Sequence, residues 1–244
     1  MTTTTHHRGP LAQHLTWLDE GTHLLLTHLD RLPNAEITAP TPLPDWTRAH
    51  LLAHLARNAD ALRNLATWAH TGVETPMYHD LDQRDRDIQR SANQPPPQLR
   101  SDVRISAARL AQALAALPTS AWSTQVRSAL GRDIPASQIP WLRIREVWIH
   151  TVDLGAGVSF ADLPHDLVDA LLSDVITGLA RKEGAPALAL RPTDRTTTWH
   201  LSAPGTLTEV AGPAAELLAW LTGRADGAPL RPATGELPSL PRWL

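Results

Sequence analysis

Glu146 and His150 stand four residues apart in "REVWIHTVD", a stretch otherwise built from Val147, Trp148, Ile149 and Val152. On a helix, positions i and i+4 share one face, one turn apart. A carboxylate and an imidazole placed there are either a surface ion pair, worth roughly 0.3 kcal/mol, or two ligands of one metal ion. The helix is apolar on several sides, so a polar pair on it faces something specific. His54 is the third residue of interest, because it falls on the inner stripe of another helix, Leu51, His54, Leu55, Asn58, Leu62, Leu65 and Ala69. It is either a core histidine bonded to Asn58 one turn later, or a ligand delivered from a facing helix. Two imidazoles and one carboxylate leave coordination positions open, as catalytic zinc centres do, and ferrous iron accepts the same set. His50 in "HLLAH" is the rival to His54. The other histidines, His14 and His28 among them, show no ligand-like grouping, and most of them read as solvated. Arg224 follows Gly223 at the end of "ELLAWLTG". It is either a solvated arginine at a helix C-terminus or a guanidinium that grips a substrate carboxylate at the metal.

Composition limits the chemistry further. The 244 residues contain no cysteine, which excludes disulfides, cysteine-bound zinc and a thiol nucleophile of the protein's own. Any thiol chemistry needs a thiol from outside. A formal charge of −3 offers no basic field to nucleic acid or to an anionic membrane. "MTTTTHHRGP" lacks a basic stretch followed by an apolar one, and runs such as Leu24 to Leu26 are too short to span a bilayer. A cytoplasmic protein, monomeric and acting on small molecules, is expected. No glycine-rich phosphate loop, G-x-S-x-G elbow or H-E-x-x-H motif is present.

These residues have to be positioned by helices. Leu11, Leu15, Leu18, Leu25, Leu29 and Leu32 mark one amphipathic helix from Pro10 to Leu32. "PNAEITAPTPLPD", with four prolines, interrupts helical order. A second helix is expected from an N-cap at Asp45 to a stop at Gly72. A short helix and a proline-rich turn follow, then a helix from Gln98 to Leu117. A small hairpin turns near Gly131, and a fourth long helix over Ser137–Leu154 carries Glu146 and His150. Four such helices form an antiparallel bundle. Beyond "GAGVSFADLP" the pattern changes to a helix over Leu163–Lys182, strands in "PALALRP", "RTTTWHLS" and "TLTEVAG", a helix over Pro213–Leu221 and an irregular tail. The chain therefore divides at about residue 157 into a helical bundle, 1–157, and a small α/β domain, 158–244, an α+β architecture.

"DWTRAHLLAHLARNADALRNLATWAHTGVETPMY" and "GRDIPASQIPWLRIREVWIHTVDLGAG" resemble the N-terminal domain of the mycothiol-dependent maleylpyruvate isomerase family. "ELLAWLTGRADG" and "GELPSLPRWL" resemble its C-terminal domain. The resemblance implies a DinB-like antiparallel four-helix bundle followed by a small sterol-carrier-like α/β domain. It also implies zinc bound by His54, the second histidine of W-x3-H-L-x-x-H, and by Glu146 and His150 of R-E-x-W-x-H. Arg224 falls on an arginine required in the isomerase. The implied reaction is the cis–trans isomerisation of maleylpyruvate to fumarylpyruvate, with mycothiol as thiol cofactor, by addition and elimination of a zinc-bound thiolate. Two alternatives share the scaffold: a mycothiol S-transferase acting on another electrophile, and a non-catalytic zinc-dependent binding protein.

Overall fold

The computed structural model describes residues 10–233 and 235–243. The "MTTTTHHRG" segment, read above for a secretory signal, lies outside the described residues. Two compact units divide between Ala156 and Gly157. The first holds α1 (Pro10–Arg31), α2 (Arg48–Thr71), α3 (Leu81–Ala92), α4 (Pro96–Ala115) and α5 (Ile139–Asp153), with a hairpin of β1 (Gln125–Arg127) and β2 (Asp133–Pro135) before α5.

Helix directions follow from which ends touch. Arg100 and Arg104, early in α4, reach Leu29, Leu32 and Asp30 at the end of α1, so these two helices run oppositely. His14 near the start of α1 packs on Trp141 near the start of α5, with ring centroids 5.2 Å apart. His28 near the end of α1 bonds the carbonyl of Ala156 at 3.0 Å, so α1 and α5 run parallel. Arg48, the first residue of α2, donates to the carbonyls of Leu154 (2.8 Å) and Gly155 (3.1 Å) just beyond α5. α2 therefore begins where α5 ends. The four long helices run up, down, down, up, and the short α3 supplies the return that lets α4 start beside the start of α2. Its far end is tied there by Arg57 to Ser91 (3.1 Å) and His50 to Gln89 (3.1 Å).

The core of this unit is the apolar stripe read from the sequence. Leu25 and Leu29 of α1, Leu51, Leu55, Leu62 and Leu65 of α2, Leu99 and Val103 of α4, and Ile144 and Val147 of α5 are buried. α2 starts two residues later than an Asp45 cap would place it. Thr47 is the N-cap, in an extended conformation, while Asp45 sits at φ 63° in the turn before it. Gly72 closes the helix in the left-handed conformation at φ 74°.

One close approach fixes how α1 meets α5. A Cβ at Gly21 would lie 2.4 Å from Nε1 of Trp148, whose N–H donates to the carbonyl of Trp17 at 2.8 Å. Gly21→Ala has to displace that indole. It should cost about 1–3 kcal/mol by overpacking, against the roughly 1 kcal/mol that alanine gains over glycine in a helix. Urea unfolding of the variant should show a lower midpoint with an unchanged slope; a raised midpoint would contradict this packing.

The second unit contains α6 (His165–Leu179), β3 (Leu188–Pro192), β4 (Trp199–Leu201), β5 (Thr208–Gly212), α7 (Ala214–Leu221) and β6 (Arg231–Pro232). Its sheet has the order β4-β3-β5-β6, with β3 and β5 parallel and the outer pairs antiparallel. Leu190 stands opposite Val210 in the central pair. Those residues, Leu188, and Leu171, Leu217 and Leu218 from the helices are buried together. The edge strand β6 escapes the sequence reading because two residues, one of them proline, carry no alternation. Among the described residues, no helix is long and apolar enough to cross a membrane.

Candidate metal centre

α5 presents Arg143, Glu146, His150 and Asp153 at intervals of three, four and three residues, which is one face of a helix. α2 faces it with His54, and the Arg48 staple sets the axial alignment of the two helices. The result is a tight trio. His54 Nε2 lies 2.8 Å from Glu146 Oε2, and His150 Nε2 lies 3.2 Å from the same oxygen. The two imidazole rings meet edge to face at 5.1 Å, and Trp46 closes one side with its ring 5.4 Å from His54.

His54 is buried, while Glu146 and His150 keep partial exposure on one side. Each bond to Glu146 has an N–H pointing at one carboxylate oxygen, because a carboxylate only accepts. On its other edge His54 Nδ1 accepts from Arg84 at 3.4 Å. On the other edge of His150, Nδ1 donates to Asp153 Oδ2 at 2.8 Å, and the Asp153 side chain is fully buried. A carboxylate behind a ligating histidine fixes the tautomer and raises the basicity of the other nitrogen.

Electrostatics agrees with that arrangement. Burial pushes the His150 imidazole down, but Asp153 and Glu146 outweigh it and raise it from 6.5 to about 9. Burial lowers His54, and Glu146 offsets this only in part. Burial would raise the Glu146 carboxyl, yet His54 and His150 hold it well below its ordinary value. Without metal, a proton on His150 thus occupies the space between two carboxylates.

A pH dependence follows. The folded value for His150 lies above the unfolded one, so its stabilisation is complete below pH 6.5 and is lost as pH rises through about 9. His54 and Glu146 are shifted downward, so their contributions change below this window. The metal-free protein should lose on the order of 3 kcal/mol across it. Urea melts of chelator-stripped protein at stepped pH measure this, and Asp153→Asn should flatten the slope. A slope unchanged in that variant would remove Asp153 from the account.

The donor set fits a divalent cation. The three ligand atoms lie within 4.8 Å of one another. Tetrahedral zinc with bonds near 2.0–2.1 Å places its ligands about 3.3 Å apart, close to the separations found here. A cation held by these three residues would keep coordination positions open to an incoming group.

Other sequence-singled residues go elsewhere. His50 is not in the trio: its Nδ1 accepts the Thr47 backbone N–H at 3.3 Å in a capping box, and its Nε2 bonds Gln89. Asn58 is not the partner of His54. Its Oδ1 accepts from Nη1 of Arg143 at 2.8 Å, and that guanidinium also holds the carbonyl of Leu55. Arg143 is buried and pushed down to about 10 by desolvation. His14, one of the histidines without a ligand-like grouping, packs among Trp17 and Trp141. Arg224 belongs to the second unit, directly after α7. Gly223 at φ 74° ends that helix, the Arg224 N–H closes on the carbonyl of Ala219 at 2.8 Å, and its Nη1 donates to the carbonyl of Thr222 at 2.7 Å. Asp153, Arg84 and Trp46 were not singled out from the sequence. For Asp153 a signal existed: an aspartate three residues after His150, on the same face.

Residues 11–155 match the profile of the mycothiol maleylpyruvate isomerase N-terminal domain, and residues 162–242 that of the MDMPI C-terminal domain. The chain belongs to this family. Two solved structures extend the likeness to nearly the whole chain. A crystal structure of the mycothiol-dependent maleylpyruvate isomerase superposes with TM-score 0.89 at 38% identity, covering 96% of this chain and 97% of that one. A histidine-to-alanine mutant of the mycothiol-dependent maleylpyruvate isomerase superposes with TM-score 0.91 at 36% identity, with the same coverage. No curated protein matches the chain.

Proposed function

We propose that this protein is a mycothiol-dependent maleylpyruvate isomerase whose zinc is held by His54, Glu146 and His150. The observation that carries this reading is the convergence of two imidazoles and one carboxylate from α2 and α5 in a chain of this family. When bound, zinc and mycothiol together would supply a thiolate at neutral pH, the nucleophile that cis–trans isomerisation by addition and elimination requires.

The chain's own residues prepare that chemistry. Glu146 supplies the negative charge that a divalent cation needs in a half-buried place. Asp153 holds the His150 proton on Nδ1, so Nε2 is the nitrogen left for the metal. Trp46 and the aliphatic faces of α2 and α5 limit water around the trio. The cysteine-free sequence leaves the open position to an external thiol. Arg224 binds a carboxylate of maleylpyruvate and stabilises the charge that develops on the adjoining carbonyl as the thiol adds.

Turnover of maleylpyruvate by zinc-loaded protein, followed spectroscopically with and without mycothiol, tests the proposal. Rapid formation of fumarylpyruvate only when the thiol is present is the expected result. Zinc binding without turnover would turn the assignment toward a mycothiol S-transferase acting on a different electrophile.

A further inference from the structure

A second cleft adjoins the trio and has no part in holding the metal. It encloses about 380 Å³ between α2, the 72–80 connection and α3, a size in the range of small-ligand pockets. Arg84 joins the two places: it lines the cleft, its Nη2 lies 3.4 Å from His54 Nδ1, and its guanidinium stands 6.0 Å from the centre of the Tyr78 ring, another wall residue. Tyr78 joins them as well, since burial raises its phenol and the charge of Glu146 adds to the rise.

The walls indicate the chemistry of that other end. Asp60, Asn64, Gln83 and Asp87 offer carboxylate and amide groups, and the Tyr78 ring and Pro76 offer flat apolar faces. Acceptors and donors mixed around an aromatic platform suit neighbouring hydroxyl groups on a saturated ring. A phosphate would need unpaired positive charge, and the arginines here are already matched. Arg57 is paired with Asp60 (3.0 Å) and Asp102 (2.9 Å), Arg84 with Asp85 (2.6 Å), and Arg90 with Asp87. Asp60 and Asp87 keep acceptor capacity beyond these pairs, because a carboxylate has about four lone-pair sites, and a wholly apolar ligand would leave it unused.

We infer that this cleft binds the uncharged, hydroxyl-rich glycoside end of the thiol while its sulfur lies at the His54–Glu146–His150 centre. The inference rests on the use of mycothiol proposed above. It assigns α3, whose topological role is the return between α2 and α4, a second role as the wall that recognises the thiol.

The test uses N-acetylglucosaminyl-inositol, the sulfur-free end of mycothiol, titrated calorimetrically into the zinc-loaded full-length protein. Saturable binding is expected, weakened about tenfold or more by Asp87→Ala and by Gln83→Ala, the effect of losing a hydrogen bond to a polar ligand. Two variants are used so that one unstable protein does not decide the matter, and thermal melting checks both. In turnover, KM for mycothiol should rise by a similar factor with kcat unchanged, while the rate with N-acetylcysteine as the thiol stays at the wild-type value. If wild-type protein uses mycothiol and both variants bind it equally well, the cleft assignment is overturned and the proposed function stands. An equal loss with N-acetylcysteine also overturns it, because the variants would then act through the metal centre. If wild-type protein neither binds nor uses mycothiol, the functional proposal fails and the cleft assignment with it.

Discussion

Glu146→Gln protein should purify folded but without retained metal, and its turnover should fall to the level of metal-free protein. The substitution keeps the shape of the side chain and an oxygen that can accept, so the helix pair α2–α5 keeps its packing. What it removes is the only formal negative charge among the three candidate ligands. With a carboxylate, a divalent cation replaces the proton now held between Glu146 and His150; with an amide, the cation enters a half-buried place with no ligand charge to offset its desolvation. Affinity should fall by more than the roughly 10–100-fold typical of losing a supporting carboxylate. Asp153→Asn supplies that smaller reference, since Asp153 acts through the far nitrogen of His150 at 2.8 Å. Competition with a coloured chelator gives both affinities, and elemental analysis gives the content. If the glutamine variant bound zinc as tightly as Asp153→Asn, Glu146 would not be a ligand.

The contrast between these two carboxylates also shows what was legible in the sequence. Glu146 and His150 stood out because i,i+4 spacing on an apolar helix is a local signal, and His54 because a polar residue interrupted an apolar stripe. Asp153 obeys the same geometry, yet an aspartate near a helix end has an ordinary reading as a terminal polar residue, and only its complete burial separates the two. His50 shows the reverse case. Its i,i+4 relation to His54 promised a ligand pair, but Thr47 capped α2 and claimed the His50 ring for the capping box. Spacing cannot tell these outcomes apart, because caps are decided by the turn before the helix. Helix directions are also weakly encoded. The four long helices were readable from periodicity, whereas the order up, down, down, up depends on α3 being a return and on arginines such as Arg48 and Arg100 meeting carbonyls far along the chain. Asn58 was matched to the wrong partner for the same reason: Arg143 reaches it from 85 positions away.

Arg224→Ala should leave zinc content and melting temperature unchanged while lowering kcat/KM for maleylpyruvate by about 100-fold or more, the scale of removing a charge-assisted donor from a developing anion. The backbone at this position is fixed without help from the side chain, by Gly223 at φ 74° and by the closure of the Arg224 N–H on Ala219. The guanidinium donates to the Thr222 carbonyl at 2.7 Å, a helix-terminal acceptor that water can replace. A large kinetic effect at unchanged zinc content and melting temperature would report on substrate. Arg224→Lys is the informative companion. An ammonium keeps the charge but not the planar fork that takes both oxygens of a carboxylate, so it should recover only part of the loss. The KM for mycothiol should stay constant in both variants, because the proposed role is toward the carboxylate of the electrophile and not toward the thiol. Steady-state kinetics with each substrate varied in turn, paired with elemental analysis, gives every one of these quantities. Full activity in Arg224→Ala would sink the assignment of this arginine, and zinc lost together with activity would make its role structural.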